Sequence, residues 1–217
     1  MDPNLPRDQP VKSLTEVPLL SPELRAILIR SACGPLRHDV KKMRTLAELP
    51  SKVEISSSEE LSDVSELAGV EHLTIYNCPT VFDVSALASV TTLSLEHCER
   101  VVDVSPLGAV AVLNLSCCTG VEDVSGLGRV RELNLRGCTG VVDVSALALV
   151  RKLNLSDLPL LANVSSLGGV EHLDLTNCTE LKDVSALGHV RTLILKGCTA
   201  ITDVSALGGV STLSLEG

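Results

Sequence analysis

From Asp63 onward the chain is written in a period of twenty residues. Asp63, Asp83, Asp103, Asp123, Asp143, Asn163, Asp183 and Asp203 each open the same phrase, with no insertion between them. The phrase reads D-V-S-x-L-x-x-V-x-x-L-x-L-x-x-C-x-x-V-x. A worn unit, residues 43–62, comes first; Val53, Ile55 and Leu61 keep its register, and Ser58 stands in the cysteine slot. The last unit, opened by Asp203, is truncated. So short a unit cannot enclose a core by itself. Each must bury its apolar side against the next, which leads to a stacked, quasi-one-dimensional solenoid.

Within a unit, pairs such as Leu133 and Leu135 alternate as a short strand does, both pointing inward with the residue between them pointing out. The S-x-L-x-x-V segment has the spacing of a helical turn, and its serine is expected to act as the N-cap. Pro106, directly after Ser105, occupies the first helical position, where proline is tolerated. Strands stacked at about 4.8 Å form a parallel sheet roughly 40 Å long. The expected fold class is an α/β solenoid with a parallel concave sheet and short helical turns or loops on the convex side.

Composition agrees with narrow, uniform layers. The chain is 45% hydrophobic but only 1% aromatic, with Tyr76, Phe82 and no Trp. The net charge of −9 argues against a general nucleic-acid binder, which needs surplus Lys and Arg to displace counterions. No apolar run approaches the ~18 residues of a membrane span. The opening MDPNLPRDQPVKSL lacks the apolar centre of a secretory signal, so a cytoplasmic setting is expected.

The phrase L-x-x-[C/N]-x-x-[V/I]-x-D-[V/I]-S-x-L resembles a leucine-rich repeat. Its D-V-S-x-L portion is similar to the internalin type. The stretch Cys138-Thr139-Gly140-Val141-Val142-Asp143 is similar to the cysteine-containing type. In such short units the combination resembles the leucine-rich repeat proteins of trypanosomatids. The resemblance covers residues 43–217 and implies protein–protein recognition on the concave sheet. It also keeps open a surface-attached or secreted receptor binder of the internalin kind.

Residues 1–18 read as a flexible segment, 19–49 as a small helical N-terminal cap, and 43–217 as the repeat domain. Ser21-Pro22-Glu23 opens a helix running to about Cys33, stopped by Gly34. Leu24, Ile27 and Leu28 share one of its faces, and a second helix is expected over 37–49. The stretch VPLLSPELRAILIRSA also resembles an F-box, which implies a rival role as substrate receptor of a ubiquitin ligase.

Residues that could carry chemistry read as structural. Six of the eight cysteines, Cys78, Cys98, Cys118, Cys138, Cys178 and Cys198, share one repeat position, which Leu158 fills in the remaining regular coil. A slot that takes Leu or Cys is buried and apolar, and no C-x-x-C pair suggests zinc. Cys33 and Cys117 lie off this ladder, and Cys117 is expected to look out from the sheet. The Asp column reads as turn formers, because Asn163 replaces one of its members. The serine column has no histidine beside it to act as a base. The expectation is therefore a non-enzymatic chain without cofactor or metal. Of the sequons at Asn114, Asn154, Asn163 and Asn177, the first two and the last follow from the repeat's own Asn-x-Ser/Thr habit.

The variable positions flank each L-x-L. Early coils place Glu71, His72, Thr74, Tyr76, Glu96 and His97 there; later ones place Arg131, Arg136, Arg151, Lys152, Arg191 and Lys196, with Glu132, Glu171 and Asp174 between them. These cations form an expected docking patch for an acidic segment of a partner protein, with Tyr76 as its aromatic anchor. Asn114, Asn134 and Asn154 are expected to hydrogen-bond one another along the stack. Leu213 and Leu215 would leave an apolar face and an open strand edge, the expected route to a homodimer.

Overall fold

A computed structural model of the chain describes residues 20–31, 49 and 51–215. Among these residues a single parallel sheet of nine strands runs in sequence order. The strands are β1 (Lys52–Ser56), β2 (His72–Tyr76), β3 (Thr92–Ser94), β4 (Val112–Asn114), β5 (Glu132–Asn134), β6 (Lys152–Asn154), β7 (His172–Asp174), β8 (Thr192–Ile194) and β9 (Thr212–Ser214). Every pairing is offset by one repeat, so Leu113 lies beside Leu133 and Leu133 beside Leu153. A one-residue slip would turn the leucines outward, and this burial pins the register.

Each inward position forms a rung. In one coil these are Val124, Leu127, Val130, Leu133, Leu135, Cys138 and Val141, all buried in one continuous core. The helical turns are 3-10, short enough for a twenty-residue circuit. Leu127 N–H donates to Val124 O at 3.0 Å, and Val130 N–H to Leu127 O at 3.0 Å. Pro106 sits in the first turn of its segment, Ser105–Ala109, as its missing N–H permits.

The serine caps expected from the sequence are not made. The residue before each turn is valine, as at Val124, and no side chain caps it. The aspartate two residues before the serine does the work: Asp123 Oδ1 accepts Ser125 N–H at 2.8 Å. Asn163 Oδ1 accepts Ser165 N–H at 3.0 Å in the same way. The carboxylate reaches forward to the N–H two residues on and closes a turn ahead of the 3-10 segment.

Helix α1 spans Pro22–Ser31. Ser21 Oγ accepts Leu24 N–H at 3.2 Å, a true N-cap. Leu20, Leu24, Ile27 and Leu28 join the common core where α1 packs against β1, and Ser21 N–H donates to Glu66 Oε2 at 2.9 Å. The expected end of this helix at Cys33 and Gly34, the segment 1–18, and the second helix over 37–49, save Leu49, lie outside the described residues. No helix among the described residues is long and apolar enough to cross a membrane.

Candidate functional site

The sheet shows solvent a grid whose columns are coils. One row runs His72, Thr92, Val112, Glu132, Lys152, His172 and Thr192; the next runs Thr74, Ser94, Asn114, Asn134, Asn154, Asp174 and Ile194. Across β4 to β8 these two rows line a shallow trough of about 350 Å³.

The middle row is held by its own backbone. Asn114 Oδ1 accepts Ser116 N–H at 3.0 Å, Asn134 Oδ1 accepts Arg136 N–H at 3.0 Å, and Asn154 Oδ1 accepts Ser156 N–H at 2.9 Å. Asp174 Oδ1 accepts Thr176 N–H at 2.9 Å in the corresponding place. The expected amide-to-amide ladder is therefore not the arrangement found. The oxygens serve the turn that leaves each strand, and Asn114 Nδ2 reaches Ser94 Oγ at 3.1 Å. That turn places Asn77, His97, Cys117, Gly137, Asp157, Asn177 and Gly197 at positive φ, between 51° and 70°.

The cations singled out by sequence are spread across the grid. Arg131, Arg151 and Arg191 stand just before their strands; Tyr76, Arg136 and Lys196 stand at or just past the strand ends. Lys152 alone among the seven lines the trough. Tyr76 lies three coils from Arg136, about 14 Å along the stack. It meets His97 edge-on at 5.5 Å between ring centroids.

Acidic neighbours face several of these cations. Arg151 Nε donates to Glu171 Oε2 at 2.7 Å, Arg136 Nε to Asp157 Oδ2 at 2.8 Å, and Lys152 Nζ lies 3.2 Å from Glu132. Arg131 lies 3.6 Å from the same glutamate. The hydrogen bond from Arg151 holds the Glu171 carboxyl below its usual range. Asn177 first, then Arg136, does the same for Asp157.

Beneath the face, the cysteine ladder is chemically quiet. Cys118 Sγ–H donates to Leu95 O at 2.9 Å and Cys138 Sγ–H to Leu115 O at 3.0 Å, each reaching the preceding coil. Burial pushes the Cys138 and Cys178 thiols up to about 12 and Cys98 to about 11. The described cysteines are unpaired, and Cys117 is the partly exposed one. Among the described residues no cluster of His, Cys, Asp or Glu is arranged to hold a metal. Phe82, Val102, Val142, Leu149 and Leu160 are exposed apolar residues that sequence reasoning passed over. Phe82 carries Arg100 over its ring at 5.7 Å.

No protein-family model matches the chain, and no curated protein matches it. Solved structures do. The chain is similar to an internalin, InlF, of Listeria monocytogenes, at 20% identity and a TM-score of 0.60, covering 89% of this chain and 68% of that one. It is similar to internalin C2 of the same organism at 19% identity and a TM-score of 0.43, covering 89% and 92%. The leucine-rich repeat domain of the type III effector XopL matches at 14% identity and a TM-score of 0.49, covering 90% of each. The likeness to InlF, together with the strand and 3-10 turn returning every twenty residues, shows the fold: this chain is an α/β solenoid of leucine-rich repeats.

Proposed function

We propose that the chain is a non-catalytic protein-interaction module and that its partner docks on the concave face of the sheet. One contrast carries this reading. Inward positions are Leu, Val, Ile or Cys in coil after coil, whereas the outward positions of the same strands change from coil to coil and border the trough. A rigid frame with a variable face is how a solenoid presents a recognition surface. Arg131, Arg136, Arg151, Lys152, Arg191 and Lys196 supply cations for an acidic segment of the partner, and Tyr76 supplies an aromatic anchor. Exposed ion pairs are worth only about 0–1 kcal/mol, so a partner carboxylate can exchange with Glu132, Asp157 or Glu171 at little cost.

A second copy is the further expected partner. At β9, Leu213 is 37% and Leu215 47% exposed, and the adjoining end of the core opens into a hollow of about 330 Å³.

The test is affinity capture with the native chain, with Asn134→Arg, which stands a long side chain in the trough, and with Arg131, Arg136 and Arg151 together changed to Glu. A partner held by the native chain should be lost with the trough variant, which stays folded although it melts a few degrees lower for want of the bond to Arg136 N–H. Capture that survives both changes would remove the sheet face as the site.

A further inference from the structure

The trough offers a pattern as well as a surface. Asn134 Oδ1 accepts Arg136 N–H, and Asn154 Oδ1 accepts both Ser156 N–H and Ser156 Oγ–H, at 3.0, 2.9 and 2.6 Å. Those bonds fix which end of each amide is oxygen. They turn each NH2 group away from the backbone, and among the described residues neither Nδ2 has an acceptor. The floor thus holds two unused donors on neighbouring coils. Asp174 follows on the next coil, with Oδ1 bound to Thr176 N–H and Oγ1–H, and Ile194 follows it.

Spacing decides what can read this row. Coils repeat at about 4.8 Å; an extended chain returns a side chain to one face only every ~6.7 Å. An α-helix returns one per turn, about 5.4 Å. From β4 to β8 the floor is about 19 Å long, the length of about 13 helical residues. Charge then orders the contacts: acceptors opposite the two amides, a cation opposite Asp174, an apolar side chain over Ile194.

We infer that the occupant of the trough is an amphipathic helix of a partner protein, lying along the stack. Its contact stripe reads acceptor, acceptor, cation, apolar at successive turns. This rests on the sheet-face reading above and adds to it the partner's secondary structure and side-chain order.

Asn→Asp is the discriminating change. It keeps the oxygen that closes the turn, as Asp174 already does in the same row, and it replaces the donor with a charge. A displayed library of 14-residue helical peptides, randomised along one stripe, is selected against the intact chain and against the N134D/N154D double variant. The native chain should enrich Glu, Asp or Gln at the first two turns and Lys or Arg at the third. The double variant should enrich Lys or Arg at the first two. A winner on the native chain should bind the double variant about 100-fold more weakly, roughly tenfold per charge-assisted bond lost, while circular dichroism shows both proteins folded at the binding temperature. Winners without the stripe, or unaffected by the double variant, overturn the inference. A parallel library of unstructured peptides separates the two readings. Stripe-less binders from it that Asn134→Arg abolishes leave the sheet face standing without the helix; if Asn134→Arg affects no binder from either library, both fall.

Discussion

Two residue columns do most of the local work, and both titrate in a readable way. Asp63, Asp83, Asp103, Asp123, Asp143, Asp183 and Asp203 have carboxyl pKa values lowered by hydrogen bonds from the serine two residues on. A group lowered in the folded state stabilises above its unfolded pKa, about 3.9 for Asp, and loses that contribution as pH falls through the lowered folded value. The melting temperature should therefore fall progressively below about pH 4. Asp143→Asn should melt close to the native chain at neutral pH, as Asn163 foreshadows, and show a weaker fall in acid. Asp143→Ala should lose a few degrees at neutral pH. An Ala variant as stable as the Asn variant would show that the turn bond contributes nothing. The cysteine column makes a second prediction. With Cys138 and Cys178 raised to about 12 and sealed in the core, a thiol reagent at pH 8 should label Cys117 promptly and the ladder only on unfolding, as read by peptide mass mapping. Cys138→Ala should cost about 1–3 kcal/mol in urea titration, through the cavity and the lost donor to Leu115 O.

At the scale of the element, a strand of three residues is held by its neighbours and aimed by its turns. The turn after each strand needs positive φ, which Gly137 at 68° and Gly197 at 70° meet freely, and which Cys117 at 58° and Asp157 at 59° meet at a cost. A β-branched residue fits this conformation worst. Gly137→Val should lower stability by about 2 kcal/mol, and its new Cβ would stand 3.2 Å from Cys117 Sγ. Gly137→Asn should cost less, since Asn77 and Asn177 already fill that slot, although its Cβ meets the same sulfur. Equal urea midpoints for the Val and Asn variants would mean that φ does not limit this turn.

The molecule as a whole is a row of nearest-neighbour contacts, so position along the stack sets the cost of damage. Leu133 is buried with a coil on either side, and Leu133→Ala should cost about 2–5 kcal/mol. Leu213 on β9 is partly exposed, and the same change there should cost far less in a monomer. If β9 pairs with a second copy, sedimentation equilibrium of the 217-residue chain should show a concentration-dependent dimer that Leu213→Lys abolishes. A monomer at every concentration, with fast amide exchange confined to β9, would remove the edge as an interface.

Periodicity was enough to read the frame. The L-x-L pairs, the small aliphatic rungs and the cysteine slot name their own burial, because a twenty-residue unit has only one side to hide. The same logic placed Leu24, Ile27 and Leu28 on the inner face of α1 and made Asn163 a fair stand-in for Asp. It did not reveal which side chains spend their polar atoms on their own backbone. Ser125 was expected to cap a turn that Asp123 closes, and Asn134 was expected to bond a neighbouring amide when its oxygen serves Arg136 N–H. Nor could it show that Arg136 and Arg151 already face Asp157 and Glu171, or that only Lys152 of the nominated residues lines the trough. Burial repeats with sequence and so is written in the period; hydrogen-bond partners and ion pairs depend on how successive coils lie against one another, and only the stacked structure decides them.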